Sequence, residues 1–224
     1  MSGNNPYQSY PWEYDHWYDQ NLPAYLSELE LVKEALPGAG VGLEIGVGTG
    51  RFSVPLGIGW GIDPSREMLA RARERGVRGI QGRGEALPFN SFSFDYVVMV
   101  TVLCFLPSPE MVIGETYRVL KDTGKLIVGF VDRESYLGRI YQEKKKKSRF
   151  YSEAKFYSVP DVLQLLQSAG LEEIKVRQTL FETTGAADFI QDPKEGYGEG
   201  GFVVVSGGKA NGRISNAQLP TANF

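Results

Sequence analysis

Apolar and polar positions change period several times along the chain, and each change marks an element. Residues 24–36, "AYLSELELVKEAL", place Leu26, Leu29, Val32 and Leu36 on one helical stripe, and Pro37 and Gly38 stop it. The run "VGLEIGV" over 41–47 has a strand's length and ends in glycines. From Gly50 only a short helix fits, over 51–56, before "WGID" at 60–63 predicts a second strand. Ser65 opens a helix, "SREMLARARERG", that Gly76 closes. "VRGIQG" (77–82) predicts a short third strand. "FDYVVMVTVL" (94–103) is continuously apolar, the pattern of a strand covered on both faces. An amphipathic helix over 109–121 and another buried strand over 124–131 complete the alternation.

Strands alternating with helices from 41 to 131 predict a parallel sheet with helices on both faces, and right-handed crossovers leave few topologies. Beyond 131 the rhythm changes. Residues 132–157 are charged and aromatic with weak periodicity, as an insertion would be. Residues 158–170 predict a helix with a Ser cap, Pro in its first turn, a leucine face and a terminal Gly. "EEIKVRQTLFET" (172–183) and "GGFVVVSGG" (200–208) predict two closing strands. The expected organisation is an aromatic, helical cap over 1–40, a core domain over 41–206 with its insertion at 132–157, and a loose tail over 207–224. There is no internal repeat.

Composition narrows the function classes. At 224 residues the chain suits one core with appended segments. A net charge of −3 lacks the basic excess of a nucleic-acid binder. Cys104 is the single cysteine, so no intramolecular disulfide forms, and no Cys/His cluster has metal-ligand spacing. The first residues, "MSGNNPYQSYPWEYDHWYD", are polar and aromatic rather than basic then apolar, and no apolar run reaches the roughly 18 residues of a membrane span. The expectation is a soluble, cytoplasmic protein, monomer or homodimer, acting on neither nucleic acid nor membrane.

The chemistry begins at "GLEIGVGTG" (42–50). Glycines between a strand and a helix let backbone approach a ligand, and the following helix offers N–H donors. A triphosphate-cradling loop needs G-x-x-x-x-G-K-[ST], and no Gly-Lys-Ser/Thr occurs here. The dinucleotide fingerprint G-x-G-x-x-G is met by Gly46 and Gly48, but Arg51 stands at its last position. The third pattern, E/D-x-G-x-G-x-G, is filled by Glu44, Gly46, Gly48 and Gly50.

With "GIDPSREML" (61–69), "GEALPFNSFSFDYVVMV" (84–100) and "VLKDTGKLIVG" (119–129) following in order, the chain resembles the class I S-adenosylmethionine (SAM)-dependent methyltransferases. It is most similar to their small-molecule branch, which includes ubiquinone/menaquinone-type enzymes. The resemblance implies a Rossmann-like, doubly wound, mostly parallel seven-stranded sheet with a final antiparallel strand. It also implies SAM as methyl donor and a small-molecule acceptor. By the same resemblance, Gly46, Gly48 and Gly50 form the turn beside the donor's methionine portion, and Glu44 orients that turn or the amino-acid end. Asp63, followed by Pro64, would accept from both ribose hydroxyls, a task that suits the two oxygens of a carboxylate. Met68 would pack on the adenine, Gly84 and Glu85 would read its edge, and Thr101 would lie near the methionine end. The chain departs from the family at Arg83, where Asp is frequent, in the short span between Gly50 and Asp63, and at "VLCFLP" (102–107), where histidines are frequent.

Other conspicuous residues have plainer readings. Cys104, in an apolar stretch, reads as a buried small hydrophobe rather than a nucleophile. His16, the only histidine, reads as a surface or stacked residue. "KKKKSR" (144–149) reads as a solvated face, with a basic rim for an acidic substrate as the alternative. The aromatics of 10–18 fit a core cap and a lid equally, with Tyr14, Trp17, Tyr18 and Phe105 as candidate lid or substrate residues. Direct methyl displacement needs no covalent catalysis, so no catalytic side chain and no metal ligand is assigned. The alternatives are a SAM-binding sensor without turnover and, behind it, a nicotinamide oxidoreductase.

Overall fold

A computed structural model describes residues 6–181 and 189–209. Three helices open the chain: α1 (Pro6–Ser9), α2 (Pro11–Gln20) and α3 (Leu22–Ala35). The alternating core follows as β1 (Gly42–Ile45), β2 (Trp60–Asp63), α4 (Arg66–Glu74), β3 (Arg78–Gln81), β4 (Phe94–Val100), α5 (Pro109–Val119) and β5 (Leu120–Val131). The last part holds α6 (Tyr136–Lys144), α7 (Val159–Ser168), β6 (Leu171–Thr179), β7 (Lys194–Glu195) and β8 (Phe202–Lys209).

The strands form an 8-stranded sheet in the order β3-β2-β1-β4-β5-β8-β6-β7, parallel from β3 to β5, with β8 antiparallel to both β5 and β6. The expected Rossmann-like arrangement is therefore present, with one strand more than expected. The addition is the two-residue β7, hydrogen-bonded to the outer edge of β6. Strand β8 runs on to Lys209, so residues 207–209 extend the sheet beyond the expected start of the tail; 210–224 lie outside the described residues, as do 182 and 183 of the expected sixth strand.

Alternation along the central strands explains why the sheet is buried on both faces. In β4, Val97 and Met99 enter one core with Leu126 and Val128 of β5 and Val112 of α5. Tyr96, Val98 and Val100 enter the other, with Phe202, Leu31 of α3 and Tyr18 of α2. The cap helices are thus one of the two covering layers.

Two expected elements differ. Residues 51–56 form turns rather than a helix: Val54 N bonds Gly50 O at 3.1 Å and Leu56 N bonds Phe52 O at 3.2 Å, but Pro55 between them has no N–H to continue the ladder. The strand expected over 94–103 stops at Val100, because Thr101 adopts φ 54° and the chain turns into a 3-10 helix at Leu103–Phe105. The helix at 158–170 forms as expected, with a capping box in which Ser158 and Asp161 satisfy each other's backbone N–H.

Candidate active site

The parallel strands β1, β2 and β4 end at one edge of the sheet, where strand order reverses between β1 and β4, the usual place for a ligand in an open α/β sheet. Gly46, Gly48 and Gly50 form the turn after β1 with φ of 73°, 52° and 84°, all in the left-handed region. Gly46 N and Val47 N donate to Ile62 O at 2.8 and 3.1 Å, tying the turn to β2. A Cβ on Gly46 would collide with Val102, whereas one on Gly48 would meet only the Tyr14 ring, at 3.6 Å. A Cβ on Gly50 would meet Val77 at 3.3 Å and the Ala72 Cα at 3.5 Å, where the turn packs on α4. Gly46 is therefore required by the protein's own packing, and Gly48 faces the site.

Beneath the turn, Glu44 is buried and accepts a hydrogen bond from Ser53 Oγ. Burial pushes its carboxyl up to about 8, against the opposing hydrogen bonds from Ser53. Asp63 ends β2, and its two oxygens divide between two backbone donors: Oδ2 accepts from Gly48 N at 3.0 Å and Oδ1 from Ser65 N at 2.8 Å. Burial raises its pKa, and these two hydrogen bonds oppose the rise. Ser65 Oγ caps α4 by accepting from Met68 N, and Met68 is 1% exposed. Pro64 is exposed, and its carbonyl accepts from Gln81 Nε2 at 3.1 Å. Gly84 lies where a Cβ would stand 2.8 Å from Val112 and 3.1 Å from Ile45, so that loop presses on α5 and β1. Glu85 beside it is half-buried.

Thr101, in its left-handed conformation, anchors through its N–H to Gly129 O at 2.8 Å. Its side chain lies near the Tyr14 hydroxyl, which bonds Tyr18 at 2.8 Å. Cys104 donates to Thr101 O at 3.5 Å, and burial pushes its thiol up to about 12, which removes it as a thiolate nucleophile.

Above Thr101 the structure joins rings that lie far apart in sequence. Tyr7 meets Tyr14, Phe105 and Phe150 at centroid distances of 5.9, 5.3 and 5.3 Å. Phe105 stacks on Tyr151 at 5.7 Å, and Tyr151 continues to Tyr141 and Phe156 at 5.1 and 6.1 Å. Tyr151, Phe156 and Tyr157 line a cavity that opens beside Thr101, Leu103 and Cys104. Arg149 ties the insertion to the cap, pairing with Glu13 at 2.8 Å and lying 4.1 Å from the centre of the Tyr10 ring. Tyr14, Tyr18 and Phe105 belong to this assembly, but Trp17 is 38% exposed and touches only the edge of Tyr18 among the described rings. His16 is exposed, as expected.

The sequence reading missed what holds the cap in place. Asp15, buried on α2, accepts from Thr49 Oγ1 at 2.5 Å, Arg51 Nε at 3.0 Å and Arg75 Nη2 at 2.7 Å, with Arg71 at 3.5 Å. Burial would raise this carboxyl, but the hydrogen bonds from Arg75, Thr49 and Arg51 outweigh it and hold it low. Arg51, the residue that breaks the dinucleotide fingerprint, is thereby accounted for. Arg71 and Arg75 share a helix face at i, i+4, but their partner lies 56 and 60 positions away, beyond any local pattern.

Comparison with known proteins agrees with this geometry. Residues 43–128 match the methyltransferase domain family. A SAM-dependent methyltransferase from Thermotoga maritima, described as a possible histamine N-methyltransferase, superimposes with a TM-score of 0.88 at 50% identity, covering 91% of this chain and 97% of that one. An uncharacterized protein of Methanocaldococcus jannaschii is 47% identical over 92% of this chain and 99% of its own length. A demethylmenaquinone methyltransferase of Bacillus cytotoxicus is 26% identical over 72% of this chain and 82% of its own. The chain belongs to the class I SAM-dependent methyltransferases, and SAM is its cofactor. Among the described residues no helix is long and apolar enough to cross a membrane.

Proposed function

We propose that the chain transfers a methyl group from SAM, lying along the glycine turn, to a small-molecule acceptor in the aromatic chamber. The observation that carries this reading is the position of Tyr14. Its ring covers Gly48 while its hydroxyl reaches Thr101 and Tyr18, so turn and chamber share a wall.

The residues present suit the donor. Each Asp63 oxygen accepts one backbone N–H and keeps a lone pair, so two adjacent ribose hydroxyls find two acceptors. Met68 and Pro64 would flank the adenosine, with Gly84 and Glu85 at the adenine edge. Gly46, Gly48 and Thr101 would border the methionine portion, while Gly50 and Glu44 fix the turn from behind and below. Tyr14, Tyr18 and Phe105 present π faces that favour a sulfonium cation, and Trp17 would cover Tyr18 from outside. When bound, SAM supplies an activated methyl: the acceptor's lone pair forms the new bond to that carbon as the C–S bond breaks, its electron pair staying on the sulfur of S-adenosylhomocysteine (SAH). The chain contributes placement and exclusion of water, and no side chain is assigned as a base.

On this reading the cap (1–40) and the insertion (132–157) shape acceptor specificity on a constant core, as appended segments commonly do. The Bacillus likeness supports a quinone-type acceptor, and the Thermotoga likeness supports an amine. Screening a metabolite library for SAH release tests the proposal. An acceptor that gives turnover supports it; SAM binding with no turnover across the library would make the chain a SAM-binding sensor instead.

A further inference from the structure

The three atoms nearest to a Cβ placed on Gly48 all belong to Tyr14: Cε1 at 3.6 Å, the hydroxyl at 3.8 Å and Cζ at 3.9 Å. With a Cα–Cβ bond of about 1.5 Å, the ring stands no more than about 5 Å from the Gly48 Cα. A ligand atom between them needs van der Waals contact of about 3.5–4.0 Å on each side, roughly 7 Å in all. The ring in this position and a donor on this face of the turn exclude each other.

The ring is held by side-chain contacts. Its hydroxyl bonds that of Tyr18 at 2.8 Å, and it meets Tyr18, Tyr7 and Phe150 at centroid distances of 5.2, 5.9 and 6.3 Å. The helix that carries it is fixed, because the next residue, Asp15, accepts from Thr49, Arg51 and Arg75 at 2.5, 3.0 and 2.7 Å. Lifting α2 would break these buried charge pairs, whereas turning one side chain would not. The neighbour that can yield is α1, four residues long with none of them buried. Its Tyr7 hydroxyl donates to Phe150 O at 3.3 Å, and its Tyr7 carbonyl accepts from Ser65 Oγ at 3.2 Å.

We infer that Tyr14 occludes the donor site: its ring fills the face of Gly48 until SAM or SAH drives it outward against α1, where it covers the ligand instead. This rests on the reading that the donor lies along the glycine turn. Only the fraction of molecules with the ring withdrawn can then admit the donor, which slows association. A residue that merely covers a bound ligand acts differently, since losing such a contact mainly speeds dissociation. The two rate constants therefore separate an occluding ring from a simple wall.

Surface plasmon resonance on the captured full chain, with SAH as the probe, gives both constants. Tyr14→Ala should raise the association rate constant about tenfold or more, because it removes the ring. Tyr14→Phe keeps the ring and its packing but loses the bond to Tyr18, so the same constant should rise about 2- to 10-fold, the range for one net hydrogen bond. An association constant that is unchanged or lower in Tyr14→Ala, whatever happens to dissociation, overturns the inference. If that variant does not fold, the same result in Tyr14→Phe overturns it. Either result with SAH binding intact leaves the methyltransferase reading standing, whereas a native chain that fails to bind SAH removes both.

Discussion

The turn after β1 and the aromatic chamber lie against each other but are built by different means. The turn is made of backbone: glycine conformations, N–H groups and one carboxylate, drawn from 20 consecutive positions, Glu44 to Asp63. The chamber is made of side chains from the cap, the 3-10 turn after β4 and the insertion, with Tyr7 and Phe150 in direct contact across 143 positions. A backbone site holds a constant ligand, because its shape barely depends on which side chains surround it. A side-chain site can be reshaped by substitution without disturbing the sheet. On the proposed function the constant partner is SAM, at the turn, and the variable partner is the acceptor, in the chamber.

Asp15→Ala should have the largest effect, because it leaves Arg51 and Arg75 facing each other beside Thr49 without their shared anion. Removing one partner of a buried pair costs about 3 kcal/mol or more, and urea denaturation should show that loss. A loss below about 1 kcal/mol would mean the clamp contributes little to holding the cap. Asp63→Ala should next weaken SAH binding by about 1.5–3 kcal/mol in titration calorimetry, the range for hydrogen bonds to a charged group. Unchanged affinity in the folded variant would remove the ribose assignment. Gly46→Ala should lower stability without ligand by about 1–3 kcal/mol, since it adds the Val102 collision to the strain of a positive φ. If Gly46→Ala melted like the native chain, the packing role of that glycine would be wrong.

A pH effect follows from two buried carboxyls. Glu44 under the turn and Glu28 on α3 both have carboxyls raised to about 8 by burial. Between pH 5.5 and 8 the folded chain holds protons there that the unfolded chain has already released, so stability falls as pH rises. With two such groups, each losing about 1.4 kcal/mol per pH unit, the melting temperature should drop by about 10 °C or more over that window. Glu28→Gln should flatten part of this slope and leave the part due to Glu44. A melting temperature that rises across the window would contradict both assignments.

How far the sequence disclosed all this follows the same division. The alternation of strands and helices, the glycine turn and Asp63 could be read because each rests on neighbours in sequence. Val97 and Met99 on one face of β4, with Val98 and Val100 on the other, produce the unbroken apolar run that identified a doubly covered strand. The turns at 51–56 were misread because a short apolar stretch resembles a helix until the missing N–H of Pro55 is counted. The end of β4 was misread because an apolar run does not reveal that Thr101 turns left-handed. Asp15 could not be found, since its role comes from partners that only the folded sheet brings near. Trp17 shows the converse: an aromatic among aromatics, it still lies largely outside the assembly.

The most direct measurement compares melting temperatures of Gly48→Ala with and without SAH. A Cβ at Gly48 has room within the protein itself, 3.6 Å from Tyr14, so without ligand the variant should lose only the roughly 1 kcal/mol cost of a positive φ. The increase produced by SAH in the native chain should be nearly abolished, because on the proposed function the added methyl occupies the face of the turn against which the donor is placed. A Gly48→Ala chain that keeps the full SAH-induced increase would show that the glycines serve only the turn, and that the donor lies elsewhere.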